Sequence, residues 1–90
     1  MYLEDSADKL AAMRTDVAEH DGRSLGRLAH SLRGSSNNLG ALRVGALCEE
    51  LERTGEGAMP PGAWVFLLRL ELELTRVRRV FEEERSRRLL

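Results

Sequence analysis

The chain has 90 residues, of which 42% are hydrophobic, 32% are charged and 4% are aromatic. This length supports one small domain, and the balance of apolar and charged residues excludes a disordered chain. The formal net charge is −1, so the molecule as a whole has no attraction to nucleic acid or to an acidic membrane surface, and we expect neither as a partner.

The cysteine content and the lack of a long apolar run favour a cytoplasmic protein. Cys48 is the only cysteine, so the chain can form no internal disulfide and no zinc site of the usual spacing, and we expect no metal centre. No segment approaches the roughly 18–20 consecutive apolar residues that cross a bilayer. The chain opens with the acidic residues Glu4 and Asp5, whereas a secretory signal opens with basic ones.

Apolar residues recur at helical spacing in four segments, and no segment alternates apolar and polar residues as a half-buried strand would. These periodicities predict four helices, which span roughly residues 2–19, 22–37, 41–54 and 61–87. Four helices with short connections predict an all-α, antiparallel four-helix bundle. The residues that should face its core are, in chain order, Leu3, Ala7, Leu10, Met13, Val17, Leu25, Leu28, Ala29, Leu32, Ser36, Leu39, Ala41, Val44, Leu47, Cys48, Leu51, Leu67, Leu70, Leu74, Val77 and Phe81.

Several residues mark where the predicted helices begin and end. Asp21 suits the N-cap of the second helix, because its carboxylate can accept a hydrogen bond from the first turn. Asn38 and Gly40 permit a break after that helix. Residues 54–62 contain three glycines and both prolines, which predicts a loop, and Pro61 is well placed in the first turn of the last helix.

The last predicted helix has a second apolar stripe, formed by Val65, Leu68 and Leu72, on the side away from its core face. A surface helix of a monomer normally has one such stripe. We expect this second stripe to pack on another copy of the chain, as a homodimer, or on another segment. Partial cover by the neighbouring helices is an equally good interpretation.

His30 is the candidate functional residue, because Gly26 and Gly34 lie one helical turn before and after it. Each glycine costs about 1 kcal/mol of helix propensity relative to alanine, and the pair leaves the imidazole uncovered. At about 100° per residue, His30 projects to the solvent side of its helix. Basic and amide donors around it suit a phosphoryl group on a ring nitrogen. The residues that share or flank this side are Arg23, Arg27, Arg33, Gly34 and Asn37.

Two segments carry a resemblance to a known family: residues 30–41, HSLRGSSNNLGA, and residues 48–52, CEELE. They resemble the histidine-containing phosphotransfer (Hpt) domain of bacterial phosphorelays. The family pattern is a histidine, any residue, a hydrophobic residue, lysine or arginine, and then glycine, followed by small residues and a later glycine. A looser similarity extends over nearly the whole chain. The resemblance implies the Hpt type of four-helix bundle, here with a first helix shorter than is usual in the family.

The resemblance implies a role for each residue of the motif. His30 would be the phosphoacceptor. Arg33 stands where the family more often has lysine and would assist the phosphorylated imidazole electrostatically, while Gly34 would keep the ring accessible. The partner would dock on the same face as the histidine. The residues expected to contact it are Arg23, Arg27, Ser31 and Asn37.

The same resemblance implies a reversible relay of phosphoryl groups. The partners would be receiver domains of response regulators, a hybrid histidine kinase, or both, and the magnesium ion would be bound by the receiver. The sequence has no phosphate-binding loop of the form GxxxxGK(S/T), the common means of binding ATP. We therefore expect a phosphoryl carrier with no cofactor of its own rather than an enzyme.

Two other classes of protein stay open as alternatives. The dimerisation and phosphoacceptor domain of a sensor kinase also places a histidine on a helix, but that family expects an acidic residue directly after it and a proline soon afterwards. Here Ser31 follows, and the next proline is Pro60. A non-catalytic helical adaptor or dimerisation module would keep the fold without any transfer. The charged run from Arg76 to Arg88 could serve such an adaptor, although a solvated helix face with internal ion pairs explains that run better.

Overall fold

Four α-helices make up the computed structural model, which describes residues 1–89. They span Tyr2–Ala18 (α1), Gly22–Leu39 (α2), Leu42–Gly55 (α3) and Ala63–Leu89 (α4). α1 packs on α2 and α4, α3 packs on the same two helices, and α2 lies diagonally opposite α4 with no close backbone approach in the described part of the chain. The predicted all-α four-helix bundle is confirmed, and residues 1–89 contain no strand. None of these helices has the length and apolar character that crossing a membrane requires.

The core lies between the four helices and is almost entirely aliphatic. Burying one large apolar side chain contributes roughly 1.5–3 kcal/mol to folding, so the core is the main source of stability. All four helices contribute to it. The buried apolar residues are Leu10, Met13, Val17, Leu25, Ala29, Leu32, Val44, Cys48, Leu51, Ala63, Leu67, Leu70 and Leu74.

Three residues predicted to face the core are instead exposed, namely Ala7, Leu39 and Phe81. The buried face of α1 includes Ser6 rather than Ala7, so Ala7 is rotated out of the core. α4 has 27 residues, about 40 Å of helix, and extends beyond the ends of the shorter helices that pack on it. Phe81 lies near this extension and is therefore 38% exposed. Leu39 is the last residue of α2 and lies next to the turn.

Both ends of α2 are set by local hydrogen bonds. The Asp21 carboxylate accepts a hydrogen bond from the backbone N–H of Ser24 at 3.1 Å, which confirms the predicted N-cap. At the other end Gly40 adopts a left-handed φ of +90°, and its N–H donates to the carbonyl of Asn37. Only glycine takes this conformation without steric cost, so the predicted break at Gly40 is also confirmed.

The start of α4 differs from the prediction. The prediction that Pro61 lies in the first turn of the last helix is wrong, because α4 begins at Ala63. Gly62 has a φ of +70°, outside the helical region, and its carbonyl accepts the first hydrogen bonds from the N–H groups of Val65 and Phe66. The left-handed Gly62 thus separates Pro61 from the helix.

Two glycines allow neighbouring segments to approach each other closely along α2. A Cβ atom at Gly22, the first residue of α2, would overlap the backbone of Ala58 and Met59 in the α3–α4 connection. A Cβ atom at Gly45 in α3 would overlap the side chain of Asn37 in α2. These contacts bring α3 and its C-terminal connection against α2, the helix that holds His30.

We expect Gly22→Ala to lower the free energy of unfolding by about 1–3 kcal/mol, because the new methyl group overlaps backbone atoms that cannot move aside alone. Gly26→Ala is the matched control. No atom of a neighbouring element lies within 4 Å of its new Cβ, so helix propensity should raise stability by up to about 1 kcal/mol. Urea denaturation measures both changes. A similar effect of the two substitutions would contradict the close approach at Gly22.

Candidate functional site

His30 lies in the middle of α2, on the face turned away from the core. Ala29 and Leu32 are fully buried on the opposite side, whereas the His30 side chain is 68% exposed. The Cβ positions that Gly26 and Gly34 lack have no neighbouring element within 4 Å. An incoming group can therefore reach the ring without meeting a side chain at either flanking turn.

Arg33 lies one turn after His30 and contacts the imidazole directly. Its Nη2 is 3.1 Å from Nδ1 of His30, within hydrogen-bond distance. Arginine can only donate, so Nδ1 must be the acceptor in this contact. A neutral imidazole whose Nδ1 accepts has its proton on Nε2. The contact with Arg33 therefore favours the Nε2–H tautomer.

Glu52 of α3 reaches the same ring nitrogen from the neighbouring helix. Its Oε2 is within hydrogen-bond distance of Nδ1 of His30, at 3.4 Å, and its Oε1 is 3.3 Å from the same nitrogen. Oε1 also lies 3.9 Å from Nε of Arg33 and is buried without a hydrogen bond. A carboxylate can only accept, so this contact favours a proton on Nδ1 and leaves a lone pair on Nε2.

Arg33 and Glu52 thus compete for one atom. Nδ1 either accepts from Arg33 or donates to Glu52, and a neutral ring can do only one of these at a time. When it donates to Glu52, Nε2 is unprotonated and nucleophilic. Nε2 makes no hydrogen bond within residues 1–89, so this second nitrogen is free to react. The contact with Glu52 therefore favours the reactive tautomer of His30, and the contact with Arg33 favours the other one.

The sequence did not predict a role for Glu52, although this residue is the last of the CEELE segment, residues 48–52. It is separated from His30 by 22 residues, so no local spacing links the two. One signal was present. Glu52 follows Cys48 by four residues, which places an acidic side chain directly beside the apolar face of its helix.

A depression beside the imidazole connects His30 with two of the predicted docking residues. It has a volume of about 450 Å³ and is lined by Arg23, Gly26, Arg27, His30, Glu52 and Gly57. Arg23 and Arg27 form no ion pair with any residue from 1 to 89, so both guanidinium groups are available to an external acidic group. This edge of the site is therefore basic.

The other two predicted docking residues lie away from this depression. Ser31 is exposed next to His30 on α2, and Asn37 is exposed two helical turns further on. The side chain of Asn37 lies over Gly45 of α3. Asn37 therefore has a packing role between α2 and α3 in addition to any contact with a partner.

The comparison with protein families bears on this arrangement. The model of the Hpt domain family matches residues 1–80, which is most of the chain. The chain belongs to the Hpt domain family. Comparisons with curated proteins and with solved structures gave no match. Hpt domains are phosphocarriers that lack kinase and ATPase machinery, so membership implies a phosphotransfer carrier of a phosphorelay.

The Hpt motif has an arginine at position 33 where lysine is more usual, and the geometry shows what this changes. The planar guanidinium places Nη2 at the imidazole and Nε toward the Glu52 carboxylate. A lysine ammonium is a compact charge with no planar fork, so it could not contact the two groups through separate nitrogen atoms in this way. Arg33 therefore links the histidine of this Hpt domain to the acidic residue on α3.

Cys48 lies in the core behind the site of this Hpt domain. It is fully buried, as expected of a packed thiol. Burial is the main cause that raises the pKa of Cys48 to about 12, and the nearby charge of Glu52 raises it further, against smaller opposing effects of Arg33 and Lys9. Within residues 1–89 no group of three or more His, Cys, Asp or Glu residues is placed to hold a metal ion.

We expect Cys48 to resist alkylation by iodoacetamide at pH 8 in the folded protein, because the thiolate is the reactive form and the thiol pKa is about 12. The thiol should react readily in guanidinium chloride, where the unfolded chain restores an ordinary pKa. Mass spectrometry of the alkylated chain measures both rates. Equal rates in the folded and unfolded protein would contradict the burial of this side chain.

Proposed function

We propose that His30 accepts a phosphoryl group from the aspartate of one receiver domain and passes it to the aspartate of another. The observation that carries this proposal is the geometry of the imidazole: it is exposed, its Nδ1 contacts both Glu52 and Arg33, and its Nε2 makes no hydrogen bond with residues 1–89. The flanking glycines leave the space that a receiver domain needs. Membership of the Hpt family supports the same assignment.

The transfer follows from the chemistry of the ring. The lone pair of Nε2 attacks the phosphorus of the receiver's acyl phosphate, a phosphorus–nitrogen bond forms, and the phosphorus–oxygen bond breaks to leave the aspartate as a free carboxylate. The ring then has a phosphoryl group on Nε2 and a proton on Nδ1. Glu52 accepts the hydrogen bond of that proton and stabilises the positive ring. In the reverse step the ring leaves as neutral imidazole.

The residues around His30 would have separate roles in the transfer. Arg33, which contacts the imidazole, would assist the phosphorylated ring electrostatically, and Gly34 would keep the ring accessible. Arg23 and Arg27 line the depression beside the ring, where they would contact acidic groups of the receiver. Ser31 and Asn37 would extend this contact along the exposed face of α2, where both side chains are accessible.

The receiver would supply the remaining components of the reaction. We infer that magnesium is bound by the receiver beside its phosphorylated aspartate, so this chain needs no cofactor of its own. The donor and the acceptor would be receiver domains of response regulators or of a hybrid histidine kinase. The relay would operate in the cytoplasm. The alternative function, a helical adaptor or dimerisation module, would need none of these residues.

Incubation with a phosphorylated receiver domain tests the proposal. We expect radiolabelled phosphate to pass from the receiver to the wild-type chain, with none reaching the His30→Ala variant. His20→Ala is the matched control, because His20 is the other histidine of the chain and should be dispensable for labelling. Equal labelling of wild type and His30→Ala would exclude the relay at this residue, and no labelling of either by any receiver tested would favour the adaptor.

We expect Glu52→Ala to slow transfer to His30 by about 10–100-fold, because Arg33 then holds Nδ1 alone and the proton moves to Nε2. Long-range ¹H–¹⁵N NMR spectra report the position of the proton on the ring. They should show a larger share of the Nε2–H tautomer in the variant than in the wild type.

Glu49→Ala is the control for this experiment, because Glu49 is an exposed acidic residue on the same helix. Its transfer rate and its tautomer ratio should equal those of the wild type. A slower transfer by Glu52→Ala with an unchanged tautomer ratio would show that Glu52 acts on the structure of the site rather than on the proton of His30.

A further inference from the structure

The outer face of α4 is apolar and uncovered. Trp64, Val65, Leu68 and Leu72 are between 53% and 58% exposed, on the side of the helix opposite the buried core residues. α3 lies beside Leu72, which lines a depression together with residues of that helix, but each of the four residues is still more than half exposed. Partial cover by the neighbouring helices therefore leaves most of the second apolar stripe accessible.

We propose that two copies of this chain pair in parallel through the outer face of α4, along a seam formed by Val65, Leu68, Leu72 and Thr75. The spacing of these residues is three, four and three, the spacing of core positions in a coiled coil. The first core position of each repeat is occupied by Val65 and then Leu72, and the second core position by Leu68 and then Thr75. Val65 at the first position and Leu68 at the second follow the pattern that favours a parallel two-stranded pair, whereas Leu72 and Thr75 in the second repeat reverse it, so the orientation depends on the charges beside the seam.

The charges beside the seam match in a parallel pair. In a parallel coiled coil, each residue directly before a first core position lies opposite a residue of the second copy. That residue is five positions later in the sequence. Glu71 then faces Arg76 of the second copy, and the two side chains have opposite charges. Symmetry makes this contact twice, and both side chains are exposed.

The remaining flanking pair and the opposite orientation lead to the same conclusion. In the parallel pair, the Trp64 ring faces the Arg69 guanidinium of the second copy, a favourable cation–π contact. An antiparallel pair would place residues of the same side together, so that Glu71 meets Glu71 and Arg69 meets Arg69. Like charges at the centre of the seam disfavour that orientation. Charge complementarity thus selects a parallel second copy as the occupant of this face.

The seam is short, which limits the strength of the pair. It ends at Arg79, where the next core position places two arginines together. Glu71 also has an ion pair with Arg14 at 3.1 Å, and Arg76 has one with Glu73 at 3.5 Å. Exposed ion pairs of this kind contribute little to stability and can exchange partners. We therefore expect a dimer that forms at micromolar rather than nanomolar concentration.

This pairing leaves the phosphoryl site accessible in both copies. α4 lies diagonally opposite α2, so its outer face points away from His30. A parallel pair therefore offers two His30 sites at once. The proposal does not depend on phosphotransfer, because it rests on the exposure and charges of α4 alone.

Sedimentation equilibrium of the full chain, from low to high micromolar concentration, tests the pairing. We expect the mass to rise from one chain toward two. The variant Leu68→Glu/Leu72→Glu should remain a monomer at every concentration, with the helical circular dichroism of the wild type. Leu42→Glu is the control, because Leu42 is a leucine on α3 that is 66% exposed, and this variant should dimerise as the wild type does. A wild-type mass of one chain throughout would overturn the proposal.

Charge reversal tests the orientation separately. Glu71→Arg and Arg76→Glu should each weaken the dimer by about fivefold or more, because each places like charges together at two symmetric contacts. The double variant Glu71→Arg/Arg76→Glu should restore the wild-type dissociation constant. If neither single variant weakens the dimer, or if the double variant fails to restore it, then the parallel pairing is wrong.

Discussion

The rotation of α2 about its own axis determines where the residues of the site lie. Leu25, Ala29, Leu32 and Ser36 are fully buried along one side of this helix. Rotating the helix by one residue would expose leucines to water, at roughly 1.5–3 kcal/mol for each large side chain. His30 is therefore held on the outer side by the burial of its neighbours. The exposure of His30 is a consequence of core packing.

The second requirement of the site is the position of α3 relative to α2. Gly22 and Gly45 permit the close approach, and Glu52 then meets the imidazole from the other helix. Oε1 of Glu52 is buried without a hydrogen bond, which is costly for a carboxylate. A proton on Nδ1 of His30 offers the nearest relief. The contact with the carboxylate thus favours the ring tautomer in which Nε2 is unprotonated.

The sequence predicts the features that depend on local pattern and misses those that depend on tertiary contact. The period of α2 placed His30 outside, and the Asp21 cap is a local interaction, so both could be found. Glu52 could not be assigned, because no local rule states which acidic residue of α3 meets a residue 22 positions earlier. The predicted start of the last helix at Pro61 was wrong for a related reason. The left-handed backbone of Gly62 overrides the preference of proline for the first turn of a helix.

The diagonal arrangement of the bundle separates two surfaces of different chemistry. The outer side of α2 is polar and basic around His30, which suits the transient docking of a charged partner. The outer side of α4 is apolar with charges of both signs beside it, which suits a partner of matching shape and charge. Because α2 and α4 lie diagonally opposite each other, a partner on the outer side of one does not obstruct the outer side of the other. A single core of four helices can therefore present a site for chemistry and a separate surface for assembly, and each is set by the residues its own helix leaves outside.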